Sequence, residues 1–573
     1  MVLISVWFSA VYIVNSYFDL TLSLDTLLVA DQTLSFLPKV LMEILKRFWA
    51  ILIFFAPLVI TLIFNKKISF KKIRLKKAMF SIAICIIFSV IYIFSLNIGR
   101  YSTYSVYNLF YKINDISLTI DKLGILNTFA IDLKRVVLGF DEKIVLNSNL
   151  NDIPDETIYE YNNLDIDFEK LMSKEKNENI LKIHEYMNND TGTLKNEYTG
   201  IFKDKNLIFI LAESFNEIAV NEKLTPTLYK LVNSGFVFEN FYSPSIYSTI
   251  GGEFQELTTL YASNSNILSS FRKGNVSFPQ GIGNMFNALG YKTFAYHNNT
   301  YSFQDRNKYF KSVGLDNYKA CGNGLEKLIN CKIWPQSDLE MMETTMTDYI
   351  NEDRFMAYYV SVSGHASYNW YNYMAVKNRE EYLASGFNYS MGPASYLSAQ
   401  MELDKALKLM IDELDNKGIL SDTVIVLVGD HYPYELTIDE INEISDYKRD
   451  GVVEVNHSNL VIWNSEMDTV KVDKVGSQLD VMPTVYNLFG IDYDSRLMIG
   501  KDILSTESGL AIFGNRSWVS DMGTYFSHTN TFVPKEGINV PNTYIDSINQ
   551  VVTNKIVVSK LIVENNYYKE VFK

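Results

Sequence analysis

The hydrophobic pattern divides the chain into two textures. In the first hundred residues, apolar positions run together without interior charge: Met1 to about Phe18 (MVLISVWFSAVYIVNSYF), Phe48 to Phe64 (FWAILIFFAPLVITLIF) and Phe80 to Leu96 (FSIAICIIFSVIYIFSL). Each run approaches the ~20 residues that cross a bilayer core. Three buried-core helices would explain poorly why all of them lack charge. The first run has neither the basic start nor the small-residue cleavage site of a secretion signal, so it too reads as a span. Between the second and third runs, Asn65 to Lys77 (NKKISFKKIRLKK) concentrates Lys66, Lys67, Lys71, Lys72, Arg74, Lys76 and Lys77. A short, densely basic loop stays cytoplasmic, so the third span exits and everything after about Asn97 is expected outside. Residues 19–46 mix Leu and Asp at roughly helical spacing around Pro38 and read as an amphipathic segment at the outer interface.

Beyond the third run, residues 99 to about 147 are rich in Tyr, Leu and Ile and read as helical. Residues 148–200 turn polar (NLDIDFEKLMSKEKNENILKIHEYMNND) and predict a linker with one or two short helices. From Asn206 the pattern changes again. NLIFILAESF, KTFAYHNN, RFMAYYVSVSGH and DTVIVLVGDHY each run apolar and then end in polar residues, with helical stretches between, such as Tyr396 to Gly418. Continuous apolar runs are the signature of buried parallel strands, and strands alternating with helices imply an α/β layer fold. Sites in such folds collect at the carboxyl ends of strands, and here those ends carry Glu213, His297, His365, Asp430 and His431. The tail after about Ser505 predicts a few strands and an amphipathic helix that complete the fold. The expected division is 1–98 membrane region, 99–200 extracellular helical linker, 201–505 catalytic domain and 506–573 completing strands and helix.

Composition narrows the function. The 573 residues are 47% hydrophobic and 21% charged, values of a folded chain. A net charge of -14 argues against nucleic acid as a partner, which needs a basic footprint. The three cysteines are too few for a disulfide scaffold; Cys321 and Cys331 pair if their loop faces an oxidising space, and otherwise are two free thiols. The tripeptide Gly429-Asp430-His431 sets a carboxylate beside an imidazole at a strand end, a donor pair suited to Zn or Mn. Of the six histidines, His184, His457 and His528 receive no role, although His457 before NLVIW is a candidate for supporting a second metal.

Taken together, NLIFILAESF, FYSPSIYSTIGGEF, GYKTFAYHNNTYSFQDRNKYFKSVGLD, WPQSD, GDHYPY, and QLDVMPTVYNLFGID followed by GKDIL resemble the sulfatase/alkaline-phosphatase superfamily, and within it the lipoteichoic acid synthase (phosphoglycerol transferase) family. The matching stretches keep the family's order over about residues 200 to 505. The resemblance implies a central, mostly parallel sheet in an extracellular domain behind transmembrane helices. It implies one divalent metal, Mn2+ by preference with Zn2+ or Mg2+ as alternatives, held by Glu213, Thr249, Asp430 and His431. Thr249, in the T-x-x-x-E-F context, would also be the nucleophile, and His297, Arg306 and His365 would hold the substrate phosphate and head group. Family members usually carry five spans, so this chain resembles a version without the first two. It also departs from the family at Gln304, where a tryptophan is usual, which bears on head-group identity more than on reaction type.

The reaction implied is transfer of a glycerophosphate or related head group from a phospholipid, phosphatidylglycerol first, through a phosphothreonine-type intermediate to a hydroxyl on a glycolipid or teichoic acid chain. The alternatives are phosphoethanolamine transfer and a metal-dependent hydrolase of the same superfamily. SPSIYST lacks the C/S-x-P-S-R pattern of a sulfatase nucleophile, and a two-metal diesterase would want more histidine. A metal lowers the proton affinity of a threonine hydroxyl, and transfer then needs positioning and charge neutralisation. The expected location is the bacterial cell membrane, multi-pass, with the catalytic domain outside.

Overall fold

The computed structural model describes residues 1–18, 21–28, 37–64, 75–140, 142–146, 160–541 and 543–573. They form two compact units, one of residues 1–143 with 526–531 and one of residues 144–525 with 532–573. Most of the basic loop, at residues 65–74, lies outside the described residues, as does the stretch 147–159 of the expected linker.

The first unit is helical: α1 (Val2–Phe18), α2 (Leu37–Lys46), α3 (Phe48–Ile63), α4 (Leu75–Ser95), α5 (Val106–Tyr111), α6 (Ile116–Leu123) and α7 (Ile125–Leu138). Lys76–Ser95, 20 residues of mean hydropathy 2.4 with no buried residue, is the one helix among the described residues long and apolar enough by itself to cross a membrane. The second expected span is one unbroken helix of 16 residues, Phe48–Ile63, entered through a 74° bend from Val40–Lys46. The first expected span falls short of spanning length. It packs on α3, where Ser5 Oγ donates to the Phe54 carbonyl at 2.7 Å and the Phe8 and Tyr12 rings meet the Phe54 ring. The helical texture read over 99–147 becomes α5, α6 and α7, the first two capped by Ser105 and Asp115 side chains.

The second unit is built on a nine-stranded sheet: β1 (Asn206–Ala212), β2 (Phe236–Tyr242), β3 (Lys292–Thr300), β4 (Tyr318–Cys321), β5 (Phe355–Val360), β6 (Thr423–Gly429), β7 (His457–Ser458), β8 (Leu460–Trp463) and β9 (Val470–Ser477). The order is β4-β3-β5-β1-β6-β8-β2-β7, with β9 against β2. The five strands from β4 to β6 are mutually parallel. β8 turns antiparallel to both β6 and β2. β1, β5 and β6 are buried along their whole length, which is why they read as uninterrupted apolar runs. Ile208, Ile210, Ala357, Tyr359, Ile425 and Leu427 pack into one core with Met401, Leu407 and Met410 of the long Met391–Asn416 helix. In the tail, β10 (Leu510–Ile512), β11 (Trp518–Ser520), β12 (Gly523–Phe526) and β13 (Thr531–Pro534) form a second sheet in sequential order. The Tyr544–Glu564 helix follows and buries Val552, Ile556 and Ile562.

Candidate active site and metal centre

Parallel pairing aligns the strand ends. Ala212 of β1 is in register with Gly429 of β6, so Glu213 and Asp430 emerge side by side. His297 of β3 is in register with Val360 of β5, and His365 follows in the turn after β5. The Asp430 amide donates to the Ala212 carbonyl at 3.2 Å, extending the ladder one residue into the site.

Glu213, Asp430 and His431 are buried, and one donor atom from each lies within 4.8 Å of the others. Asp430 Oδ1 accepts from the Ser214 and His431 amides, both at 2.8 Å, while Oδ2 has no hydrogen-bond donor. His431 Nδ1 donates to the Tyr432 carbonyl at 2.9 Å. That turns Nε2 toward Asp430 Oδ2, 3.3 Å away, and Glu213 Oε1, 3.7 Å away. Burial, and then the Asp430 charge, push the Glu213 carboxyl well above its usual range. Glu213 Oε1 accepts from Ser214 Oγ at 2.9 Å, which leaves Asp430 Oδ2 as the buried oxygen without a donor in a cluster of converging lone pairs. This donor set fits a divalent metal.

Thr249 completes the group. Its Oγ1 is 3.4 Å from His431 Nε2 and 3.5 Å from Glu213 Oε2. It sits in the first turn of the Ser248–Thr258 helix, where the helix dipole favours negative charge. Tyr247 and Ser248 reach that helix through left-handed backbone, at φ 58° each. Gly252, in the same helix, carries no Cβ because one would stand 2.3 Å from the Asp430 carbonyl oxygen. A Cβ on the neighbouring Gly251 would collide instead with the Ile246 carbonyl. The QLD segment clamps the same loop: Gln478 Nε2 donates to the Gly429 and Asp430 carbonyls, both at 2.8 Å, and its Oε1 accepts from Gln255.

Arg306 is fully buried. Its Nε lies 3.2 and 3.1 Å from the two oxygens of Glu253, also fully buried, and its Nη1 donates to His297 Nε2 at 3.2 Å. Tyr309 donates to Glu253 Oε2 at 2.7 Å. Arg306 Nη2, 2.9 Å from Glu253 Oε2, is off the hydrogen-bonding direction and lacks an acceptor. His297 Nδ1 donates to the Val360 carbonyl, and burial together with the Arg306 charge lowers its basicity well below normal. His365 is half-buried with Nδ1 donating to the Ala366 carbonyl. The preceding Gly364 approaches the Glu213 carbonyl so closely that a Cβ would meet it at 2.4 Å, which brings the turn that carries His365 against the Glu213 backbone.

Three residues given no role from sequence are part of this construction. Glu253 is the buried counter-ion of Arg306; its place in T-x-x-x-E-F was the available signal. Asp338, in the WPQSD stretch, accepts from Asn298, next to His297, and from the Val362 and Ser363 amides of the turn that leads to His365. Trp334 sets its ring edge-on to His365, centroids 4.8 Å apart, and so brings an aromatic surface to the site from outside the Gln304 position. Gln304 itself occupies a left-handed turn, and its carbonyl accepts from Arg272. His457 is engaged elsewhere, with Nδ1 on Glu217 at 2.8 Å and Nε2 on the Glu239 carbonyl, and is not part of the metal-suited group. Cys321 and Cys331 form a disulfide.

Comparison with known proteins follows the same lines. Residues 205–491, half of the chain, match the sulfatase family model. Lipoteichoic acid synthase 2 of Bacillus subtilis is 25% identical over 365 residues, 61% of this chain and 54% of that protein. The lipoteichoic acid synthase of Staphylococcus saprophyticus is 24% identical over 344 residues, 58% of this chain and 52% of that protein. The chain therefore spans about half the length of the curated relatives it matches. The crystal structure of a lipoteichoic acid synthase from Listeria monocytogenes superposes with a TM-score of 0.55 at 22% identity, covering 67% of this chain and 98% of that one, and shows the same fold. With its sheet, its strand-end donor cluster and its match over half its length, the chain belongs to the sulfatase family.

Proposed function

We propose that the chain is a membrane-bound phosphotransferase that moves a glycerophosphate or related head group from a phospholipid to a hydroxyl acceptor through a covalent adduct on Thr249. The observation that carries this reading is the placement of the Thr249 hydroxyl at 3.4–3.5 Å from the Glu213 and His431 donor atoms, on a helix N-terminus, beside an orphaned Asp430 oxygen. The similarity to lipoteichoic acid synthases supports it. A divalent cation held by Glu213, Thr249, Asp430 and His431, Mn2+ by preference, supplies a lowered proton affinity for the threonine hydroxyl and charge neutralisation for the phosphate.

In this reading Thr249 Oγ1, its proton lost to solvent, attacks the donor phosphorus. A phosphorus–oxygen bond to Thr249 forms as the bond to the diacylglycerol oxygen breaks, and that oxygen takes a proton from His365. The half-exposed His365 suits proton transfer better than His297, whose two ring nitrogens face Arg306 and Val360. Arg306, with an N–H that lacks an acceptor, offers that hydrogen to a phosphate oxygen and keeps His297 oriented. In the second half His365 takes the proton of the acceptor hydroxyl, whose oxygen displaces Thr249. Phosphatidylglycerol is the first donor to try, with a glycolipid or teichoic acid chain as acceptor.

The test is diacylglycerol release by the full-length protein from labelled phosphatidylglycerol with Mn2+. Release that disappears in Thr249→Ala is expected. No release from phosphatidylglycerol, with release from phosphatidylethanolamine, would replace the head group and keep the chemistry. No release from either, by protein shown to be folded, would reject the transferase reading.

A further inference from the structure

Helix α7 of the membrane-proximal unit has its faces inverted. Its buried positions include Thr128, Asp132 and Arg135, while Leu126, Leu133, Val136, Val137 and Leu138 are exposed, the last at 72%. A helix facing water does the reverse. The polar inner face is fully used: Asp132 Oδ2 accepts from the Leu24 amide at 2.8 Å, and Arg135 donates to Asn114 and to the Leu109 and Ile113 carbonyls. The apolar outer face is therefore suited to a non-aqueous neighbour.

Beside that face lies a cavity of about 340 Å³ lined by Tyr92, Tyr111, Asn127, Lys134, Arg135 and Phe140, among others. That is within the range of ligand pockets, ~300–1,000 Å³. Tyr92 belongs to the last turns of α4, the apolar helix of spanning length, so the cavity lies at the end of that helix. The Tyr92 hydroxyl is buried and has no hydrogen-bond partner. Lys134 is exposed on α7 and brings a cation to the same rim. Apolar wall, aromatic hydroxyls, one accessible cation and an unsatisfied O–H at the end of a membrane-length helix describe the surroundings of an anionic lipid at a bilayer interface.

We propose that this cavity holds one anionic phospholipid of the bilayer, its phosphate at Lys134 and the Tyr92 hydroxyl and its acyl chains along the exposed apolar face of α7. The site is separate from the Thr249 chemistry and does not require it; it rests on α4 crossing the membrane.

The experiment uses full-length Thr249→Ala protein, so that turnover cannot consume the probe. Delipidated protein in neutral detergent is titrated with fluorescent phosphatidylglycerol and, separately, with fluorescent phosphatidylcholine. Phosphatidylglycerol is expected to bind with clear preference. Lys134→Glu should weaken it about tenfold or more, since each basic residue near anionic lipid contributes ~1 kcal/mol and charge reversal changes the sign. Tyr92→Phe should weaken it severalfold, and Ala130→Trp, which fills the cavity from an exposed position, should abolish it. Lys134 is at the surface, so its reversal leaves the fold intact and keeps the test decisive. Equal binding of both lipids, or unchanged phosphatidylglycerol binding in Lys134→Glu, would overturn the proposal. Because the readout is binding, it stands or falls apart from the transferase reading: no turnover by the wild-type protein, with preferential binding retained, would count against the chemistry alone.

Discussion

Asp430 Oδ2, Glu213 Oε1 and His431 Nε2 are three buried electron-pair donors turned toward one another. Without a cation they repel, so an ion bound only by the folded state should stabilise it, by ~2.7 kcal/mol at a hundred times its dissociation constant. Thermal unfolding is therefore expected to shift upward by several degrees when Mn2+ is added to chelator-treated protein, and the shift should vanish in Asp430→Asn. An equal shift in wild type and variant would move the metal elsewhere. These residues stood out as candidates in the sequence because each closely follows an apolar strand. The roles of Asp338 and Glu253 were not legible there, although Glu253 stands in T-x-x-x-E-F, because their partners come from distant segments: Asp338 meets Asn298, Val362 and Ser363, and Glu253 meets Arg306 and Tyr309.

At the scale of elements, the Ser248–Thr258 helix joins the parts of the site. It lies against the Asp430 backbone at Gly252 and is tied to the QLD helix through Gln255 and to the helix that begins at Arg306 through Glu253. Glu253 and Arg306 are both fully enclosed. Removing one charge leaves the other buried and unpaired, a loss of ~3–5 kcal/mol, whereas replacing both by apolar residues costs much less. Glu253→Leu should thus lower the midpoint of urea unfolding sharply, and Glu253→Leu with Arg306→Met should recover much of it without recovering activity. If single and double variants unfold alike, the pair does not couple the two elements. The central strands were legible because β1, β5 and β6 are buried on both faces and read as pure apolar runs. Their spatial order was not, since a crossover connection carries no periodicity. The two-residue β7 is too short to leave any pattern, whereas the bend between α2 and α3 at Arg47 falls where the amphipathic segment read over 19–46 meets the apolar run from Phe48.

At the scale of the whole molecule, the chain couples an apolar helical unit to a sulfatase-family unit that carries a disulfide, a bond suited to an oxidising space outside the cytoplasm. Buried charge also gives the second unit a pH dependence. Burial raises the Asp502 carboxyl to about 7 despite hydrogen bonds from Leu504 and Asn196. A raised carboxylate means that the folded state holds its proton more tightly than the unfolded chain. The resulting penalty is absent below the unfolded value near 4 and grows as pH rises through about 7. Wild type should lose stability relative to Asp502→Asn between about pH 4 and 7, by an amount of order a few kcal/mol, read from urea unfolding across that range. Parallel curves for the two proteins would place the charged form of Asp502 in a better-solvated setting than the structure gives it.

The central claim is that Thr249 is the residue to which the head group is transferred. The most direct measurement is peptide mapping by mass spectrometry after acid quench of full-length protein, incubated with Mn2+ and phosphatidylglycerol in the absence of acceptor. The account predicts a glycerophosphate adduct on the peptide that contains Thr249, absent without metal and absent in Asp430→Asn. An adduct on another residue, or diacylglycerol released steadily by Thr249→Ala, would contradict it.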